Sequence, residues 1–235
     1  MSQEALIRQF NDRFRRSGAE EILRYFLAGY RERITFATSL GAEDQVLLHM
    51  IASIDPSTRI ITLDTGRLFQ ETYDLLEKTR ETYRVNIETF FPDATRVEEM
   101  VNTKGVNLFY RSIESRKLCC YVRKVEPAAR ALKGMDAWIS GLRRGQSLAR
   151  IAVMPVEWDE QYGMMKINPL FDWSTEQVWD FIRSHRIPYN TLHDKNYPSI
   201  GCAPCTRALL PGEDIRAGRW WWEQAEQREC GLHER

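Results

Sequence analysis

Five cysteines carry the most specific chemistry in this sequence. Cys119 and Cys120 stand side by side in "RKLCCYVRK", Cys202 and Cys205 form a C-x-x-C in "IGCAPCTR", and Cys230 is alone in "RECGLHER". An odd count precludes full pairing within the chain. In a reducing compartment, clustered cysteines bind metal or do redox chemistry more often than they crosslink. Four thiolates, one adjacent pair and one C-x-x-C pair, could close a four-ligand site, and thiolate sets of this size hold zinc or an iron–sulfur cluster. The adjacent pair leans toward the cluster. Structural zinc ligands are usually separated by roughly two to four residues, whereas neighbouring side chains could reach different corners of a [4Fe–4S] cube at the cost of backbone strain. The competing reading makes Cys119 and Cys120 small buried hydrophobes and the C-x-x-C a redox pair.

Cys230 suggests different chemistry. It sits on a polar tail with no other cysteine near it in sequence. Arg228, His233 and Arg235 favour its thiolate, and Glu229 opposes them. A thiolate on such a tail can be delivered to a bound substrate and withdrawn. The bland alternative is an incidental free thiol.

Three loops carry anion-friendly residues. "TSLGAED" places Ser39, Gly41, Glu43 and Asp44 between a strand and a helix, where backbone N–H groups favour anions. It lacks the lysine of a Walker loop, so nothing there indicates ATP hydrolysis. "TLDTGR" places Leu63, Asp64, Thr65 and Gly66 at the end of the second strand, and "SGLRRGQS" places Gly141, Arg143 and Arg144 at the end of the fourth. Each loop alone reads equally well as turn and capping chemistry. Together they fall on one edge of a parallel sheet, where ligands bind. Lys117, Arg123 and Lys124 flank the first cysteine pair, and Arg207 follows the second. Arg216 and Arg219, three apart, would be neighbours on one helical face. The three tryptophans at 220–222 cannot share a face, and one or two of them anchor the tail.

The elements that must position these residues alternate. Helix is expected through the first thirty-odd residues, ending near Gly29. Strand (33–39), helix, strand (59–65), helix, a third strand in "VNIETFFP", helix and a fourth strand (136–144) follow. A strand–turn–strand then centres on Tyr162-Gly163. "DWSTEQVWDFIRSHRIP" reads as a helix with a Ser174/Gln177 capping box. From Tyr189 onward the chain is irregular. This pattern predicts an α/β, Rossmann-like body with a mostly parallel twisted sheet over 1–195 and a C-terminal segment over 196–235. Lysine plus arginine and aspartate plus glutamate balance at 33 each, which argues against nucleic acid as partner. No apolar run is long enough for a membrane span, and the N-terminus lacks a signal-peptide core, so a cytoplasmic protein is expected.

Taken together, "SLGAED", "LDTGRLFQETY", "CCYVRKVEP", "SGLRRGQS", "NPLFDWS", "YPSIGCAPCTR" and "ECGLH" resemble the thioredoxin-dependent assimilatory adenylylsulfate (APS) reductases of the APS/PAPS reductase family, over roughly residues 33 to 233. The double cysteine and "ECGLH" are together highly specific; the single loops are not. The resemblance implies an adenine-nucleotide α-hydrolase fold and a [4Fe–4S] cluster on Cys119, Cys120, Cys202 and Cys205. It implies Cys230 as nucleophile, assisted by Lys124 and His233. Ser39, Gly41, Glu43, Asp44, Leu63, Asp64, Gly141, Arg143, Arg144, Arg216 and Arg219 are the substrate-binding candidates. It further implies a thioredoxin or glutaredoxin-like thiol donor and leaves room for a homo-oligomer. Related enzymes that use the 3′-phosphorylated substrate (PAPS) keep "ECGLH" but typically lack the cluster cysteines, so APS is favoured, with PAPS or dual use as the alternative. The phosphate loop departs in detail: Ser39-Leu40-Gly41 stands where many members read Ser-Gly. More remote readings are an ATP-dependent sulfurtransferase and a zinc-stabilised nucleotide-binding regulator.

Overall fold

The structure is a computed structural model that describes residues 2–147, 150–224 and 231; Cys230, His233, Arg228 and Arg235 lie outside the described residues. A six-stranded sheet organises the chain. Its strands are β1 (Ile34–Thr38), β2 (Arg59–Leu63), β3 (Ile87–Phe90), β4 (Ala137–Ile139), β5 (Val156–Asp159) and β6 (Met164–Ile167), in the order β3-β2-β1-β4-β6-β5. β1 pairs with β4, and β4 with β6, in parallel. β5 and β6 form the expected antiparallel hairpin, with Val156 opposite Ile167. The helices are α1 (Gln3–Phe14), α2 (Ala19–Tyr30), α3 (Ala42–Ile54), α4 (Gln70–Tyr83), α5 (Ala94–Lys104), α6 (Ile113–Cys120), α7 (Glu126–Leu132) and α8 (Thr175–His185). None is long and apolar enough to cross a membrane.

The chain divides into two compact units, each discontinuous in sequence. One comprises Met1–Ile61, Glu71–Glu88 and Gly134–Asn190; the other comprises Thr62–Gln70, Thr89–Lys133 and Thr191–Arg235. The first, here the sheet unit, buries Phe36, Leu47, Ile139, Ile167 and Phe171 around its strands and α3. The expected N-terminal helix is two helices, broken at 15–18, where Gly18 caps α2. Phe10 and Phe14 of α1 interleave with Tyr25 and Phe26 of α2 at ring-centroid separations of 5.0–5.9 Å. The Ser174/Gln177 capping box of α8 is present. Asn11 of α1 satisfies the edge strand β5 as another strand would: its amide donates to Val156 O at 2.9 Å and accepts from Val156 N at 3.0 Å.

The second, here the cysteine unit, has its own small core of Met100, Leu108, Phe109, Cys119, Val122, Cys205 and Trp220. Its spine is α6, a π turn (Tyr121–Val125) and α7 in one continuous run. Pro127 explains the π turn. Proline has no N–H to return to the carbonyl four residues earlier, and its ring crowds that turn. The ladder widens just before it, with Glu126 N bonding back to Tyr121 O. Such π turns concentrate at functional sites.

Asn11→Ala should lower the unfolding free energy by about 2 kcal/mol, because it leaves the buried N–H and C=O of Val156 without partners. Denaturant titration with an unchanged slope would check this; a shift below about 0.5 kcal/mol would show that the edge strand is satisfied in another way.

Candidate active site

The adjacent cysteines occupy a helical face. Arg116, Cys119, Cys120, Arg123 and Lys124 follow the i, i+3, i+4, i+7, i+8 spacing of one helical stripe, and all five line one pocket with Arg67, Phe109, Cys202, Pro204 and Cys205. The strain expected at Cys119-Cys120 is absent: Cys120 has ordinary helical angles, φ −65° and ψ −38°. Neighbouring side chains on a helix diverge by about 100°, which sends two thiols to different points on one wall.

Backbone hydrogen bonds fix the second pair. Cys205 N bonds to Cys202 O at 2.9 Å, and Ala203 N bonds to Arg67 O at 2.8 Å. Thr65 Oγ1 lies 3.2 Å from Cys202 Sγ. The chain after Cys205 pairs with the tryptophan segment, Arg207 N to Gly218 O at 3.0 Å and Trp220 N to Cys205 O at 3.1 Å. This pairing corrects one expectation. Arg216 and Arg219 do not share a helical face: Arg219 is in a β-bridge with Thr206, and the residues before it form turns. Trp220 is buried, with the Arg116 guanidinium 4.9 Å and the Arg219 guanidinium 4.5 Å from its ring centroid. A side chain on Gly201 would displace the Arg219 guanidinium.

Charge balance governs this pocket. Burial pushes the Cys205 thiol up to about 12, opposed by Lys124 and Arg219, and pushes the Cys119 thiol up, opposed by Arg123 and Arg67. Arg116 is 1% exposed and forms a two-pronged pair with Glu223, at 2.9 and 3.0 Å. Among the described residues, no three His, Cys, Asp or Glu side chains stand close enough to hold a single metal ion.

The loops of the sheet unit form a second constellation. Ser39 donates to Asp44 Oδ2 from both N (2.6 Å) and Oγ (2.7 Å). Arg143, a candidate cation for substrate, is 2% exposed and turned inward. It donates to Glu43 at 2.7 and 2.9 Å, to Trp173 O at 2.9 Å and to Thr175 Oγ1 at 3.3 Å. Arg144 is likewise engaged, by Val153 O at 2.7 Å and over the Phe171 ring. Burial raises the Glu43 carboxyl, but the Arg143 charge and the Gln146 hydrogen bond outweigh it and hold the group below its usual range. Burial pushes Asp44 up to about 6 despite its bonds from Ser39. A side chain on Gly141 would overlap the Asp44 carboxylate.

Asp64, in the cysteine unit, is buried and accepts from Gly66 N at 2.7 Å, closing the turn after β2, and Leu63 is the last residue of β2. The sequence reading overlooked Arg67, Arg116, Glu223 and Gly201. Arg116 was visible as the first member of the cysteine stripe. The others reach the pocket through long-range pairing that no local signal encodes.

The Phosphoadenosine phosphosulfate reductase domain model matches residues 33–208. The adenosine 5′-phosphosulfate reductase of Allochromatium vinosum is 53% identical over 204 residues, covering 87% of this chain and 80% of that protein. That of Sinorhizobium fredii strain NGR234 is 48% identical over 233 residues, 99% of this chain and 92% of that protein. Among solved structures, the phosphoadenylyl-sulfate reductase of Candida auris in its phosphate complex superposes with a TM-score of 0.77 at 32% identity, covering 88% of this chain and 98% of that chain. The Candida glabrata FMN adenylyltransferase, at a TM-score of 0.56 and 16% identity, shares the fold alone.

Asp44 sets a pH dependence of stability. An unfolded aspartate ionises near its model value of 3.8, the folded one near 6. Protons therefore bind the folded state more tightly, and stability falls as pH rises across that window. Asp44→Asn lacks this loss. Its unfolding free energy relative to wild type should grow by up to about 3 kcal/mol between pH 4 and pH 7. Denaturation series at the two pH values that show no such divergence would place the Asp44 carboxyl in its ordinary range.

Proposed function

The chain belongs to the phosphoadenosine phosphosulfate reductase domain family and is an oxidoreductase that reduces adenosine 5′-phosphosulfate in sulfate assimilation, and we propose that it does so through a sulfonated Cys230 resolved by a dithiol protein. The observation that carries the reading is the identity of about half the residues with adenosine 5′-phosphosulfate reductases over nearly the whole chain.

The residues support this sequence of steps. The Cys230 thiolate attacks the sulfur of the sulfonyl group. The sulfur–oxygen bond to phosphate breaks, and AMP leaves with the electron pair. Fixed cations aimed at the developing phosphate charge lower that barrier; Lys124, Arg216 and Arg219 are the candidates, with His233 assisting the thiolate. The enzyme then carries a cysteine S-sulfonate. A thiolate of thioredoxin or a glutaredoxin-like donor attacks the Cys230 sulfur, and sulfite departs with the electron pair. The donor's second thiol resolves the mixed disulfide. Its two electrons reduce the sulfur, and Cys230 is restored. Such thiol chemistry suits the cytoplasm.

The inward engagement of Arg143 and Arg144 favours a positioning role for both, Arg143 holding Glu43 beside the Ser39–Gly41 turn. Cys119, Cys120, Cys202 and Cys205 suit a [4Fe–4S] cluster. Their thiols share one pocket, and four cations line it against the negative charge that four thiolates bring. Donors distributed around a pocket suit a polynuclear group better than one tetrahedral zinc, whose four sulfurs must lie about 2.3 Å from a single point. When bound, the cluster supplies a fixed charge and a structural tie, since both electrons come from the dithiol.

Two experiments test this reading. Incubation with adenosine 5′-phosphosulfate and no reductant should add one SO₃ group to Cys230, located by peptide mass spectrometry; Cys230→Ser should lose both the adduct and sulfite release. An adduct on another cysteine would overturn the mechanism, and the same assay with the 3′-phosphorylated substrate reports its use. Anaerobically purified protein should be brown with four irons per chain by the cluster's stoichiometry, and a colourless protein with one zinc would overturn the cluster assignment.

A further inference from the structure

Leu40, in the turn after β1, has an unfavourable backbone conformation. Its φ is +61°, a left-handed conformation that costs a side chain with a Cβ. Conformations of this kind persist only where surrounding contacts over-determine them. Three contacts do so here. The Leu40 side chain is buried, its N–H bonds to Thr38 Oγ1 at 3.0 Å, and the preceding Ser39 gives both its N–H and its hydroxyl to Asp44 Oδ2. The other Asp44 oxygen, Oδ1, lies where a side chain on Gly141 would sit. The Gly141 carbonyl accepts from Gln146 Nε2 at 3.1 Å, and Gln146 Oε1 accepts from Arg143 N and Arg150 Nη1. One carboxylate thus spans the turn after β1 and the loop after β4. It is 7% exposed, and both of its oxygens face the protein's own backbone.

We propose that Asp44, treated above as a substrate contact, is instead a positioning residue: its carboxylate holds the Ser39–Gly41 turn against the Gly141 backbone in the one conformation that receives the nucleotide. The inference rests on the functional reading above. An ionised carboxylate with no room for a ligand is unfavourable beside an anionic substrate, so its presence is explained by the loop geometry it enforces. Gly141 is the matching half of the device, because any larger residue displaces the carboxylate. Ser39, being exposed, supplies the donors without contributing to the core.

The test compares the holoenzyme with Asp44→Ala, Asp44→Asn and Gly141→Ala. AMP affinity is measured by titration calorimetry, sulfonation of Cys230 at saturating substrate by quenched flow, and unfolding temperature in parallel. Asp44→Ala and Gly141→Ala should weaken AMP by about tenfold or more, with a matching rise in KM. The rate at saturation should change by less than about threefold, since the interaction serves binding geometry and not the reacting bond. Asp44→Asn keeps an oxygen to accept from Ser39 and should recover most of the affinity. If Asp44→Ala fails to fold, Gly141→Ala carries the same comparison. AMP affinity within about twofold of wild type in both variants overturns the inference, as does a destabilised variant with wild-type affinity. A large fall in the saturated rate at unchanged affinity overturns it too and makes Asp44 catalytic. Wild-type protein that binds no adenine nucleotide overturns the functional reading itself, a result distinct from all of these.

Discussion

Thiols and cations share one buried wall, and each makes the other tolerable. Taking a thiolate or a guanidinium out of water is expensive unless an opposite charge goes with it. On the α6–π–α7 run the two types alternate at helical spacing, from Arg116 through Cys119 and Cys120 to Arg123 and Lys124. The thiols resist ionisation by burial, and the neighbouring cations pull the other way. Removing the cations would push those thiols further toward the protonated form. The pocket is therefore one electrostatic object, and Pro127, which imposes the π turn, is part of what shapes it.

The same reasoning extends to both guanidinia that are almost wholly enclosed. Arg116 meets Glu223, and Arg143 meets Glu43, each through two N–H groups on one carboxylate. Forked pairs of this kind fix direction as well as charge. Each joins segments far apart in sequence, so the ion pairs act as long-range registration marks. Asp44 is the exception. It has no cation of its own among the causes that shift it, and burial pushes its carboxyl up to about 6. A group kept so near its titration point is a poor stabiliser, which directs attention to the loop it holds.

Sequence periodicity sufficed for the alternating strands and helices, the β5–β6 hairpin and the α8 capping box, because each depends on residues within one or two turns of one another. It located the cysteine clusters and the loops for the same reason. It failed where the deciding contact is distant. "DIRAGRWWW" looks helical at Arg216 and Arg219, yet Gly218 and Trp220 pair with the backbone of Arg207 and Cys205. "SGLRR" offers two arginines to solvent on paper, and only the fold supplies Glu43, Trp173 and Val153 to turn them inward. The vicinal cysteines looked strained because no helix was read there. A π turn that absorbs a proline has no sequence signature of its own.

The cysteine unit also shows why a binding site and a core can be one thing. Its buried apolar cluster has seven residues, and two of them, Cys119 and Cys205, belong to the donor set. A core this small contributes little stability by burial alone, and small folds commonly add a metal or another crosslink. The donor set joins α6 to a C-x-x-C loop more than eighty positions later in the chain, and the strand-like pairing of that loop carries Trp220 and Arg219 with it. A group held by these four thiols would therefore tie together the segments that present the cations. In such an arrangement ligands would need no separate scaffold: a group filling the pocket would complete the core, and the core would set the positions of Lys124 and Arg219.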